Sequence, residues 1–81
     1  KEETLAGFLK ALELSKKASS KYLVSVCYGG VVTAYNYLRQ FDHSIQINKE
    51  FLSYASKVPV DTLLLAKAYN NLGAAYINSG D

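Results

Sequence analysis

His43 and Cys27 each occur once in the chain, and they are the side chains best suited to metal or nucleophilic chemistry near neutral pH. A zinc site or a thiol–imidazole pair would have to draw them from separate segments, with no third ligand evident. Cys27 falls on an apolar helical face and reads as core. His43 follows Asp42 and reads as a solvated first-turn residue. Gly29-Gly30 has the residue type of a phosphate loop, but no strand pattern precedes it and no Lys-Ser or Lys-Thr follows. The pair lies inside a helical pattern, where each glycine costs about 0.8–1 kcal/mol relative to alanine unless close approach or groove space offsets it. No catalytic residue, metal or cofactor is therefore expected, and the chain reads as non-enzymatic.

Recognition chemistry is better supplied. Of the seven tyrosines, Tyr28, Tyr35, Tyr69 and Tyr76 recur at helical spacing and are expected to pack with their hydroxyls at the rim. Tyr37 lies two residues beyond Tyr35 and so projects from another face, with Thr33 and Gly30 one and two turns back. Further along, Lys67, Asn70, Asn71, Ala74 and Asn78 share one face of a helix. An amide donates and accepts at once, so such a face can hold a peptide backbone without reading its side chains. Two readings stay open for Thr33, Tyr37, Lys67, Asn70, Asn71, Ala74 and Asn78: a surface that binds a peptide or partner helix, and a solvated polar face.

The elements that must carry these residues are helices. Leu5, Phe8, Leu9 and Leu12 recur at steps of three and four, which predicts a helix over 2–19. Val24, Tyr28, Val31, Tyr35 and Leu38 predict a second over 21–40. Asp42 is expected to cap a third over 42–57, carrying Ile47, Phe51, Tyr54 or Ala55, and Val58. Pro59 breaks the pattern. Leu65, Tyr69, Leu72 and Tyr76 then predict a fourth over 60–79, closed by Gly80. Four helices with short connections and no alternating strand pattern make an all-α chain of tandem antiparallel helix hairpins.

At 81 residues the chain is one small domain, and a globular chain this short buries only about 60% of its unfolded surface. Hydrophobic residues at 49% and charged residues at 20% still make a folding composition. The net charge of +2 is spread along the chain, which gives no nucleic-acid or membrane footprint. Its longest apolar runs are far shorter than a membrane-crossing helix needs. The single cysteine leaves no internal disulfide, and without a secretory leader a reducing, cytoplasmic setting is expected.

Residues 27–35, Cys-Tyr-Gly-Gly-Val-Val-Thr-Ala-Tyr, align without gaps on residues 68–76, Ala-Tyr-Asn-Asn-Leu-Gly-Ala-Ala-Tyr, at an offset of 41. Residues 8–12 align on 48–52 at an offset of 40. Two pairings that agree within one residue indicate a tandem helix-hairpin repeat. Residues 68–81 resemble the tetratricopeptide repeat family nearly residue for residue, in the aromatic Tyr69, Leu72-Gly73, Ala75-Tyr76 and the closing Gly80-Asp81. The copy in the second helix is degraded, with Val31-Val32 in place of Leu-Gly and Arg39-Gln40 in place of Gly-Asp. Residues 10–14, Lys-Ala-Leu-Glu-Leu, look like the family's second-helix ending. A spacing near 40 resembles the long-repeat members akin to kinesin light chains and peptide-sensing bacterial regulators.

The resemblance implies an α-solenoid of four helices. Residues 1–19 would be the second helix of a preceding repeat, 21–57 one full repeat, and 60–81 the first helix of the next. It also implies a slice of a longer array, flanked by further repeats or self-associating through exposed ends. In the family the stripe containing Asn71 faces a concave groove, and an asparagine there grips a peptide backbone. Gly29-Gly30 removes two positions that a carboxylate clamp would need, so no such clamp is expected. The function implied is a protein–protein interaction scaffold. The alternative is a peptide- or ligand-sensing regulatory domain attached to a transcription factor or an enzyme, and a third possibility is an isolated four-helix bundle.

Overall fold

A computed structural model describes residues 2–80. Four helices occur in the order α1 (Glu2–Lys17), α2 (Lys21–Tyr37), α3 (Phe41–Ala55) and α4 (Thr62–Ser79), with no strand among the described residues. The predicted helices are all present, and most of the ends that differ move inward. α1 stops two residues early and α2 three early. α3 begins one residue early and ends two early, and α4 starts two residues late.

The hairpin turns explain most of these shifts. After α1 and after α2 one residue adopts a left-handed conformation, Ser19 at φ 57° and Arg39 at φ 60°. The next N–H reaches back five residues, from Ser20 to the Ser15 carbonyl and from Gln40 to that of Tyr35. This is the Schellman closure, which satisfies terminal carbonyls and ends a helix sharply. α4 ends on the same kind of left-handed residue, Gly80 at φ 88°. Asp81, in the expected Gly-Asp turn, and Lys1 lie outside the described residues. Ser20 caps α2 by accepting the Leu23 N–H at 3.2 Å, and Asp61 caps α4 by accepting that of Leu63 at 2.7 Å. The expected Asp42 cap is not formed. Gln40 holds the N-cap position without a side-chain bond, and Asp42 sits inside the first turn of α3, where its charge still favours the helix N-terminus.

α2 packs on all three other helices. α1 meets α2 alone at the backbone level, and α3 and α4 pack on each other and on α2. Tyr28 of α2 faces Phe51 and Tyr54 of α3, while Tyr35 near the end of α2 stacks on His43 near the start of α3. Pairing partners thus run backwards along α3, so α2 and α3 are antiparallel. The principal extents are 35 × 27 × 16 Å, and the short dimension fits two helix layers at the usual interaxial distance of about 8–10 Å. No helix among the described residues is long and apolar enough to cross a membrane.

Leu12, Val24, Tyr28, Val31, Phe51 and Ala68 form the buried centre, with Leu5, Cys27, Ile47 and Leu65 half-buried around it. Val24, Tyr28 and Val31 follow the predicted α2 face. Cys27 is half-buried rather than fully enclosed. His43 is exposed as expected but also stacks on Tyr35, with ring centroids 5.1 Å apart.

α4 departs most from expectation. Its innermost residues are Ala68 and Ala75, whereas Tyr69 is 59% exposed against 2% for Tyr28. The two tyrosines therefore do not occupy equivalent packing sites. Small Ala68 and Ala75 let α4 approach closely, and Tyr69 turns outward because no described helix lies where α3 lies for Tyr28. On α1, Phe8 and Leu9 are partly exposed as a terminal helix would have it, yet Ala75 near the other end is fully buried.

A polar clasp ties three helices together. The Tyr28 hydroxyl donates to Glu50 Oε2 at 3.2 Å, and the Lys16 ammonium lies 3.5 Å from the same oxygen and 5.3 Å from the Tyr28 ring centroid. Burial raises the Tyr28 pKa, and the Glu50 charge adds to that rise while Lys16 opposes it without cancelling it. Partial burial lowers the Lys16 pKa, but attraction to the Tyr28 oxygen and to Glu50 outweighs it, leaving a net rise.

Two outcomes follow. Phe51→Ala should destabilise the fold by about 3–5 kcal/mol, whereas Tyr69→Ala should fall within about 0.5 kcal/mol of wild type. Chemical denaturation of both variants checks this. Tyr28 and Lys16 hold their protons to higher pH in the folded chain than in the unfolded one. Their contribution is therefore present below about pH 10 and lost as pH rises through the folded values. Melting temperature should fall across that alkaline range, less steeply in Tyr28→Phe.

Candidate functional site

The contact between α2 and α4 leaves a groove beside it. Val26, Gly29 and Thr33 of α2 line one side, and Leu64, Lys67 and Asn71 of α4 line the other. Asn48 and Phe51 of α3 contribute buried residues at its base, and Phe8 of α1 closes one end. The groove's volume is about 490 Å³, within the usual range for ligand sites. Lys67 is its one charged lining residue among those described.

The predicted stripe is divided by the rotation of α4. Thr33, Lys67 and Asn71 come together in this groove. Tyr37 lies elsewhere, with Thr33, Thr4, Ala34 and Phe8 around a second hollow of about 350 Å³ between α1 and α2. Asn70, Ala74 and Asn78 line neither hollow and are exposed, and Asn78 Nδ2 donates to the Ala74 carbonyl at 2.8 Å. With Ala68 and Ala75 innermost, Asn71 turns inward to a half-buried position while Asn70, Ala74 and Asn78 turn out.

The adjacent glycines have different surroundings. A Cβ on Gly30 would lie 2.3 Å from two carbons of the Phe8 ring, so the bare backbone is what lets that ring lie across α2. A Cβ on Gly29 would meet nothing within 4 Å. Gly29 is exposed at the groove's rim, and no internal contact accounts for its lack of a side chain.

Asn48 is the principal residue that the sequence reading passed over. It is 1% exposed, and its Nδ2 has no hydrogen-bond partner. A buried polar group without a partner costs about 1–3 kcal/mol. Ser44, one turn earlier, is also fully buried with an unpartnered hydroxyl. A signal existed: Ser44, Asn48, Phe51 and Ala55 follow the four-three-four period, a stripe hidden by two polar members. Chemically the groove offers apolar walls, a buried amide and a cation at its mouth, a combination suited to holding a ligand.

The chain matches no protein-family model, no curated protein and no solved structure.

The Phe8–Gly30 contact yields a coupling test. In a Phe8→Ala background, Gly30→Ala should stabilise α2 by about 0.8–1 kcal/mol, the ordinary helix-propensity gain. With Phe8 present that gain should be lost to the clash, giving a coupling near 1 kcal/mol in a double-mutant cycle.

Proposed function

We propose that the chain is a non-enzymatic protein–protein interaction segment, built like tetratricopeptide repeats, that holds a peptide or partner helix in the groove between α2 and α4. Within a larger protein in the cytoplasm it would act as a scaffold. The groove carries this reading: two helices 41 residues apart in register flank a concave, largely apolar space that ends on Lys67 and holds an unpartnered amide. The helix ends support the same register, since left-handed Arg39 and Gly80 are also 41 residues apart. The pattern of contacts favours stacked hairpins over a closed bundle. α1 touches neither α3 nor α4 at the backbone level, while α2 and α4 meet each other. In a closed four-helix bundle the outer helices would return to each other.

Peptide display against the folded chain tests this role. Selected peptides should lose at least about tenfold in affinity for Asn71→Ala/Lys67→Glu, with circular dichroism unchanged. Equal binding to that variant would move the interaction off the groove, and failure to select any peptide would remove the proposed role.

A further inference from the structure

Gly29, Asn48 and Lys67 mark three points of the groove at different depths. Gly29 and Lys67 are exposed at its mouth, and Asn48 is buried at its base. Gly29 weakens a helix interior, and the space around its missing Cβ is empty, so a reason for it inside the chain is lacking. Bare helical backbone at a groove mouth allows another backbone to approach closely. Asn48 is 1% exposed at the base, and its Nδ2 makes no hydrogen bond within the chain. Between mouth and base the walls are mostly apolar or aromatic, with Phe8, Tyr22, Val26, Phe51 and Leu64, and Ser25, Thr33 and Asn71 are the polar exceptions.

We propose that the groove is a socket for a tyrosine side chain of an extended acidic peptide, with the phenol hydroxyl on Asn48, the peptide backbone over Gly29 and a neighbouring carboxylate at Lys67. This deepens the peptide-binding role proposed above and rests on it. An occupant that reaches Asn48 needs an apolar body and a polar tip. Leucine or phenylalanine would fill the walls and leave the amide unpaired. A glutamate carboxylate would be desolvated at the base, away from the exposed Lys67. A phenol ring suits the aromatic lining, and its hydroxyl donates and accepts, so it satisfies the Asn48 amide in either orientation. With Lys67 the one charged lining residue among those described, acidic residues beside the tyrosine complement the mouth.

The test titrates the folded chain with fluorescently labelled heptapeptides carrying a central tyrosine flanked by aspartates. Matched peptides replace the tyrosine by phenylalanine or the aspartates by lysines. The tyrosine peptide should bind about tenfold more tightly than its phenylalanine counterpart, the upper range for one hydrogen bond. The lysine-flanked peptide should be weaker, and Lys67→Glu should reverse that order. In Asn48→Leu the preference for tyrosine should vanish while the phenylalanine peptide still binds. Gly29→Ala should raise the melting temperature yet weaken binding, opposite signs that a merely structural glycine would not produce.

Equal affinity for the tyrosine and phenylalanine peptides would overturn the proposal, as would a stabilised Gly29→Ala that binds undiminished. Both measurements stand even if Asn48→Leu fails to fold. If neither defined peptide binds while display-selected peptides do, the tyrosine socket fails and the peptide groove survives. If display also selects nothing, the peptide-binding role fails with it.

Discussion

Residues 22–38 contain no charged side chain, and a helix made from them has too little polar surface to stand in water on more than one side. That constraint organises the molecule. α2 is covered by α1, α3 and α4, and six of its residues are buried. α1 and α3 need less cover, since charged residues fall along their outer faces. Tyr28 is where the three-sided burial is most demanding. It brings a hydroxyl into the packed layer, and Glu50 and Lys16 supply the partners that make its burial tolerable.

Much of this architecture was legible because hydrophobic period and turn chemistry act locally. The stripe Val24, Tyr28 and Val31 identifies the core face of α2, and Gly80 marks a left-handed end. Arg39 is more instructive. It looks like a lost glycine, yet the backbone there takes the same left-handed conformation, because closure of the hairpin outweighs the steric cost of one Cβ. The rotation of α4 was not legible. Tyr69, Leu72 and Tyr76 form a convincing apolar stripe, but alanines at 68 and 75 can approach a neighbour more closely than tyrosines can, and no propensity scale weighs that choice. The same rotation decides which of the predicted groove residues meet. Thr33, Lys67 and Asn71 do, Tyr37 faces the other hollow, and Asn70, Ala74 and Asn78 line neither. Asn48 escaped notice because polar residues in a helix are expected outside, and only the assembled neighbours show it enclosed.

Two glycines side by side illustrate how one residue type serves unlike ends. Gly30 is accounted for by Phe8, which crosses α2 where a methyl group would stand. That crossing also places Phe8 between the two hollows and gives it a share of both. Gly29 contributes nothing to internal packing. α2 can carry such a weak point because three other helices pack around it. The groove is thus shaped as much by residues withheld from α2 as by those supplied from α4.

The packing of α1 on α2 alone at the backbone level sets an order in which the molecule comes apart. Releasing α1 breaks one helix interface and the Lys16 end of the clasp, whereas releasing α2 breaks every one of its contacts. Amide protons of α1 should therefore exchange through a sub-global opening well below the cost of full unfolding, while those of α2 report the global limit. Phe8 travels with α1. Each such opening removes one end of the groove and leaves Gly30 bare, so access to the cavity is linked to a fluctuation of the least anchored helix.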